Sequence, residues 1–172
     1  MKVLILEVKT AQSVKALIRR RMLSELPSHL QNWDFNFAKK SKEKGKSAYV
    51  LVKEDSPSIL EGCIIFSIHE VLGPFLDLLE VAPHNKGKAG KYKRISGCLI
   101  AYACGLSFER GENEDKGILT FKAMGKEKDS HTKLEDYYRR KYGAMMNPLG
   151  FMEIYPDPSR NLLEEYLFRN EN

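Results

Sequence analysis

The chain has 172 residues, 42% hydrophobic and 30% charged, and carries a net charge of +5 with a pI near 9.0. That length supports one compact core, and the composition excludes a disordered, low-complexity or bilayer-spanning chain. Cys63, Cys98 and Cys104 are odd in number and lack CxxC spacing, while His29, His69, His84 and His131 have no metal-ligand spacing. Buried free thiols are therefore expected, with neither a disulfide framework nor a metal.

The N-terminal stretch MKVLILEVKT lacks a small-residue cleavage site after its short apolar run. A cytoplasmic location without a membrane partner is expected. A strand is expected over residues 3–8. Val14, Leu17, Ile18 and Met22 stand at helical spacing, so a helix is expected over 11–26, stopped by Pro27. Arg19, Arg20 and Arg21 would then lie on its outer, solvated face. An irregular segment through Trp33 and Phe37 follows, and Lys39, Lys40, Lys42, Lys44 and Lys46 read as a mobile turn.

Residues 49–52 and 63–68 are β-branched or aromatic runs divided by Asp55, Pro57 and Gly62. They predict an antiparallel meander leading into a third strand at Phe75, Leu76, Leu78, Leu79 and Val81, which Pro83 halts. From Ile95 the residues Cys98, Leu99, Tyr102, Ala103 and Leu106 recur on one helical stripe. A polar turn over 111–116, a strand over 118–124 and a helix with Leu134, Tyr137 and Tyr138 come next. Thr132 and Glu135 read as the capping box of that helix, and Gly143 as its stop. A strand over 151–155 precedes Asp157 and Pro158, an N-cap and first-turn pair for a terminal helix with Leu162, Leu163, Tyr166 and Leu167. The order predicts a mixed α/β domain with one central sheet.

Between the Phe75 strand and the Ile95 helix lies HNKGKAGKYKR. A loop at a helix N-terminus offers unpaired amides and a positive dipole end to an anion. Gly87 and Gly90 let backbone come close to a ligand, and Lys86, Lys88, Lys91, Lys93 and Arg94 add positive field. A diphosphate would fit, although a solvated basic connection is the plain alternative. There is neither Walker spacing nor a GxGxxG, so a P-loop or dinucleotide fold is not indicated.

This order, with Val81-Ala-Pro83 before the basic glycine loop and Tyr138-Arg-Arg-Lys-Tyr-Gly143-Ala in the later helix, resembles the GNAT family of N-acetyltransferases over residues 60–155. The resemblance implies an α/β (α+β) acyl-CoA N-acyltransferase-like fold. Its mixed, mostly antiparallel central sheet would have helices on both faces and a splayed parallel strand pair. One domain over 1–172 would divide into a variable part (1–59), a cofactor-binding core (60–155) and a C-terminal helix (156–172). The family's loop pattern, Q/R-x-x-G-x-G/A, falls on Lys91, Arg94 and Ser96. Arg94 departs from it, so either Gly87, Gly90 and Gly97 redistribute the tight turn or cofactor affinity is reduced.

The resemblance further implies acetyl-CoA as cofactor, its diphosphate on the amides from about Lys91 through Tyr92, Lys93, Arg94 and Ile95 to Ser96, with Gly97 next to them. Its pantetheine arm would lie along the strand of Leu79 and Val81. The implied reaction is direct acetyl transfer, in a ternary complex, to an amine on an unidentified small molecule or protein. Tyr138 is the candidate acid, by its place in the motif, with Tyr137 and Tyr142 as substitutes; its spacing from Leu134 also suits a core aromatic. Glu80, on the opposite strand face from Leu79 and Val81, could accept the amine proton directly or through water, or be ion-paired instead. A cysteine nucleophile is not expected, because nothing sets a histidine beside Cys98 or Cys104. The alternatives are a non-catalytic acyl-CoA-binding module and a nucleic-acid-binding one, the latter resting on the basic clusters and on Tyr92 between Lys91 and Lys93. The oligomeric state stays open.

Overall fold

The computed structural model describes residues 1–22, 25–123 and 128–168. Strand β1 (Lys2–Glu7) buries Val3 and Ile5 on one face. The next segment corrects the expected helix over 11–26: it is strand β2 (Ser13–Arg20), with Ala16 opposite Val3 and Val14 opposite Ile5 of β1. Ala16 and Ile18 are wholly buried in the cluster on one sheet face, while Leu17 packs against a second cluster on the other. A strand covered on both faces loses the polar alternation that would announce it. Arg19 is accordingly not on a helix surface; its guanidinium donates to both carboxylate oxygens of Glu25 at 2.8 and 2.9 Å.

Helix α1 is a single turn (Phe37–Lys40), whose Phe37 joins Trp33, Val50, Val52, Cys63 and Ile65 in the second cluster. The lysine-rich turn after it is partly anchored, because the Lys46 ammonium bonds to Asp77 and to Ser67. Strands β3 (Ser47–Lys53), β4 (Ser56–His69) and β5 (Gly73–Val81) form the expected antiparallel meander. After the basic loop, β6 (Tyr92–Lys93) returns to the free edge of β1, and α2 (Ile95–Arg110) begins at once.

Helix α2 carries the expected stripe into the first cluster, but it also buries Ile100, Ala101, Cys104 and Ser107. Its back is covered by α4 (Pro156–Leu163) and the π-helical turn Glu164–Phe168, which bring Leu162, Leu163, Tyr166 and Leu167 into the same cluster. Between them lie β7 (Leu119–Phe121), α3 (Lys128–Tyr142), β8 (Met145–Met146) and β9 (Met152–Ile154). Residue 124, at the end of the strand expected over 118–124, and residues 169–172 of the expected terminal helix lie outside the described residues. Two helix starts need correcting. Thr132 lies inside α3, so it makes no capping box with Glu135. Tyr155, not Asp157, is the N-cap of α4, because Pro156, with its fixed φ and no N–H, takes the first helical position. Gly143 ends α3 with φ +66.

The sheet order is β6-β1-β2-β3-β4-β5-β7-β9-β8, and every neighbouring pair is antiparallel except β5–β7. The expected fold class, a mixed and mostly antiparallel sheet with helices on both faces and one parallel pair, is the one adopted. No helix among the described residues is long and apolar enough to cross a membrane.

Gly62 of β4 lets α2 sit directly on the sheet. A Cβ there would lie 2.8 Å from both Ile95 Cγ2 and Leu99 Cδ1. Gly62→Ala is expected to destabilise the chain by about 1–3 kcal/mol, seen as a lower urea midpoint with an unchanged slope. An unaltered midpoint would contradict this packing.

Candidate cofactor and active site

Strands β5 and β7 run parallel for only two residue pairs, Phe75 with Thr120 and Leu76 with Phe121. At that point β5 carries a bulge: Ile65 of β4 faces Leu78 and Phe66 faces Leu76, which leaves Asp77 as the extra residue. Bulges bend a strand and increase its twist. Beyond the bulge β5 continues to Val81, whereas β7 has ended at Phe121. The Ala82 N–H donates to the Glu61 carbonyl of β4 at 2.9 Å. Backbone groups alternate along a strand, so the N–H and C=O of Leu79 and Val81 turn away from β4 into the gap left by β7.

A cavity of about 50 Å³ opens at this divergence. Phe35 and Leu78, which pack against the second cluster, line it together with Leu79, Phe121, Leu134 and Tyr138 from the first. The gap therefore joins the two sheet faces.

At the other end stands the N-terminus of α2. Arg94 is its N-cap, in the left-handed region at φ +71, and makes no side-chain cap. The Cys98 N–H bonds to the Arg94 carbonyl, and the amides of Ile95, Ser96 and Gly97 have no acceptor among the described residues. A 16-residue helix opening without a cap concentrates unpaired donors and positive dipole at one spot. The Ser96 hydroxyl lies 3.1 Å from that of Tyr142, tying the end of α3 to this turn.

The basic loop is more self-contained than its composition suggests. The Lys91 N–H donates to the His84 carbonyl at 3.0 Å and the Tyr92 N–H to Asn85 Oδ1 at 3.0 Å, so neither is free for a ligand. Asn85 also donates to the Glu61 carboxylate at 2.8 Å, and His84 Nε2 shares a 2.7 Å hydrogen bond with it. Gly90 is required for close approach, though to this chain and not to a ligand: a Cβ there would meet the Asn85 carbonyl at 2.4 Å. Gly87, at φ +70, faces open space. Lys86 is paired with Asp34 and Glu80. The Tyr92 ring is only 5% exposed, with the Lys53 and Lys91 ammonium groups near its face. Lys88 and Lys93 are exposed.

Glu80 is buried on the face opposite Leu79 and Val81. Its carboxylate accepts the N–H groups of Asp34 at 2.7 Å and Phe35 at 3.0 Å, and pairs with Lys86. Glu80 thereby pins the segment that carries Phe35 to the cavity. Tyr138 packs against Phe121 with ring centroids 4.8 Å apart. Its hydroxyl has no hydrogen bond among the described residues, and burial, with the neighbouring Tyr137, pushes its pKa up to about 12. Tyr137 is more exposed and accepts from Lys141 at 2.9 Å. Burial also raises the Tyr142 phenol, which is directed at Ser96 and not at the gap.

The structure thus brings Leu79 and Tyr138 to one cavity, with Val81 two residues further along β5, and Arg94 to Gly97 to the helix opening. Sequence reasoning missed Phe35, Asp77 and the buried Glu61 network. Asp77, a charge inside the apolar run FLDLL, was the one available signal of a bulge.

By sequence, neither a protein-family model nor a curated protein matches the chain. Solved structures do. The KacTA complex with DNA superposes with a TM-score of 0.58 at 13% identity, covering 87% of this chain and 99% of that one. AtaTR bound with acetyl-CoA gives 0.56 at 15%, covering 86% and 98%. A chimera of the Vibrio cholerae spermidine N-acetyltransferase SpeG and hSSAT gives 0.52 at 13%, covering 85% and 98%. At such identities the likeness speaks for architecture, and with the parted β5–β7 pair it leads to one conclusion: the chain has the fold of the GNAT acetyltransferases.

Proposed function

We propose that the chain is an acetyl-CoA-dependent N-acetyltransferase acting on an amine by direct attack in a ternary complex. The observation that carries this is the gap between β5 and β7, with unpaired main-chain donors along it, an uncapped helix at one end and Tyr138 at the other. These residues fit the proposed cofactor. Leu79 and Val81 can pair with an amide-bearing arm as a further strand would. The amides of Arg94, Ile95, Ser96 and Gly97 can take a diphosphate, with Lys88, Lys91 and Lys93 supplying field. Gly87 leaves the loop surface open, while Lys86, Gly90 and Tyr92 hold the loop in shape.

When bound, acetyl-CoA supplies a thioester. The Leu79 N–H, which lies at the cavity, can be the fixed donor for a carbonyl that gains charge, while the Val81 N–H serves the arm; a preformed donor requires no reorganisation. Tyr138 holds its proton throughout the neutral range, because its pKa is raised and the group must be protonated to act as an acid. A phenol beside the gap can protonate a departing thiolate. Glu80 enters as the anchor of the Phe35 segment, with three donors already on its carboxylate, and we assign the amine proton to water.

The acetyl-CoA complex and the spermidine acetyltransferase among the fold neighbours support this reading of cofactor and acceptor class. A nucleic-acid partner is less well supported, since the Tyr92 ring is buried and cannot stack on a base. A covalent cysteine route is disfavoured as well. Burial pushes Cys98 and Cys104 up to about 12 and raises Cys63 well above the ordinary thiol value, so all three stay as thiols at neutral pH.

Calorimetry should register acetyl-CoA binding that weakens as salt rises; no heat at millimolar ligand would overturn the proposal. In a thiol-release assay with a panel of amines that includes spermidine, Tyr138→Phe should slow turnover by about 10²–10⁴-fold while acetyl-CoA affinity is retained. An unchanged rate would leave a binding module as the better account. An aromatic disulfide reagent should label none of the three cysteines in the native chain and all of them after denaturation; rapid labelling of one would reopen the covalent route.

A further inference from the structure

Arg94 is an unusual residue for its position. It is one of the non-glycine residues in the left-handed region, it starts a helix without capping it by its side chain, and that side chain is long and charged. The guanidinium turns onto the C-terminal segment. Nη2 donates to the Glu165 carbonyl at 2.8 Å, and the guanidinium carbon lies 5.0 Å from the centre of the Tyr166 ring. The same ring fills the place of a side chain at Gly97, where a Cβ would stand 2.1 Å from Tyr166 Cε1. At the next residue, Cys98 Sγ approaches the Tyr166 carbonyl at 3.9 Å. Three residues of the first turn of α2 thus contact two successive residues near the C-terminus. Among the described residues Arg94 Nε is buried without a partner, and the guanidinium is held by one hydrogen bond and one ring.

We infer that Arg94 is a positioning residue: its side chain fastens the opening turn of α2 to the Glu165–Tyr166 segment, and that segment thereby sets affinity for the diphosphate of the cofactor. The inference rests on the proposed acetyl-CoA reading. It also gives a reason for an arginine where a glycine would satisfy the backbone at φ +71 without strain. Here the turn is shaped by a bond across the fold, between the helix opening and the C-terminal segment. A turn held in one conformation presents its amides without first ordering them, and preorganisation of that kind raises affinity.

Arg94→Gly separates the two ideas, since glycine accepts the backbone conformation but removes the brace. Acetyl-CoA binding to Arg94→Gly should weaken by about tenfold or more, the effect of losing one charge-assisted hydrogen bond. Binding of S-acetylpantetheine, which has no diphosphate, should match the wild type, and this shows that the variant is folded. Tyr166→Leu should give the same selective loss. Acetyl-CoA affinity equal to or better than wild type in Arg94→Gly would overturn the inference, as would parallel losses for both ligands. Failure of the wild-type chain to bind acetyl-CoA would instead remove the functional proposal beneath it.

Discussion

A parallel pair of strands that stays together for two residue pairs and then parts is the constraint on which the rest of this structure depends. Everywhere else in the sheet the ladders are antiparallel and continuous or locally bulged. At β5 the Asp77 bulge turns the strand away just where β7 stops, so main-chain groups of Leu79 and Val81 face a gap in place of a neighbour. Unpaired backbone donors in a partly buried slot are costly unless something pairs with them. A ligand with amides of its own answers that need, and this is why the gap, more than any single side chain, points to function.

Charge does a different task from the one its abundance suggests. Lys86 is spent on Glu80 and Asp34, Lys46 on Asp77, and Arg19 on Glu25. These pairs tie Glu25, Asp34, Lys46 and Lys86 to the segments of β2 and β5 in the middle of the sheet. The proposed anion site is made chiefly by backbone: the uncapped first turn of α2, tied sideways to Tyr142 through Ser96 and to the C-terminal segment through Arg94. The remaining exposed lysines add field around it. Glu61 belongs to the same scheme, as a buried carboxylate that fixes Asn85 and so the path of the loop between β5 and β6.

The middle of the chain was legible in the sequence because its elements are separated by strong punctuation. Pro83 and the glycine-rich loop set off β5 from α2, and Gly143 ends α3 at a positive φ that suits it. The segment over 13–20 was not legible, since Leu17 is half-buried on one face and Ala16 and Ile18 are buried on the other, which mimics helical spacing. Helix starts were misplaced where local rules competed: Thr132 has the right partner three residues on but lies within a longer helix, and Pro156 precedes the Asp157 signal. In the site, residue types with a motif could be named in advance. Side chains that act through long-range contacts could not, as with Phe35 brought to the gap by Glu80, and Arg94 turned onto Glu165 across 71 residues of chain.

Amide hydrogen exchange at Leu79 and Val81 tests the central claim most directly, because these two N–H groups are the ones that face the gap. They should exchange quickly in the free chain, faster than the Ala82 amide bonded to β4, and become protected when acetyl-CoA is added. Slow exchange in the free chain, or no added protection with the ligand bound, would contradict it.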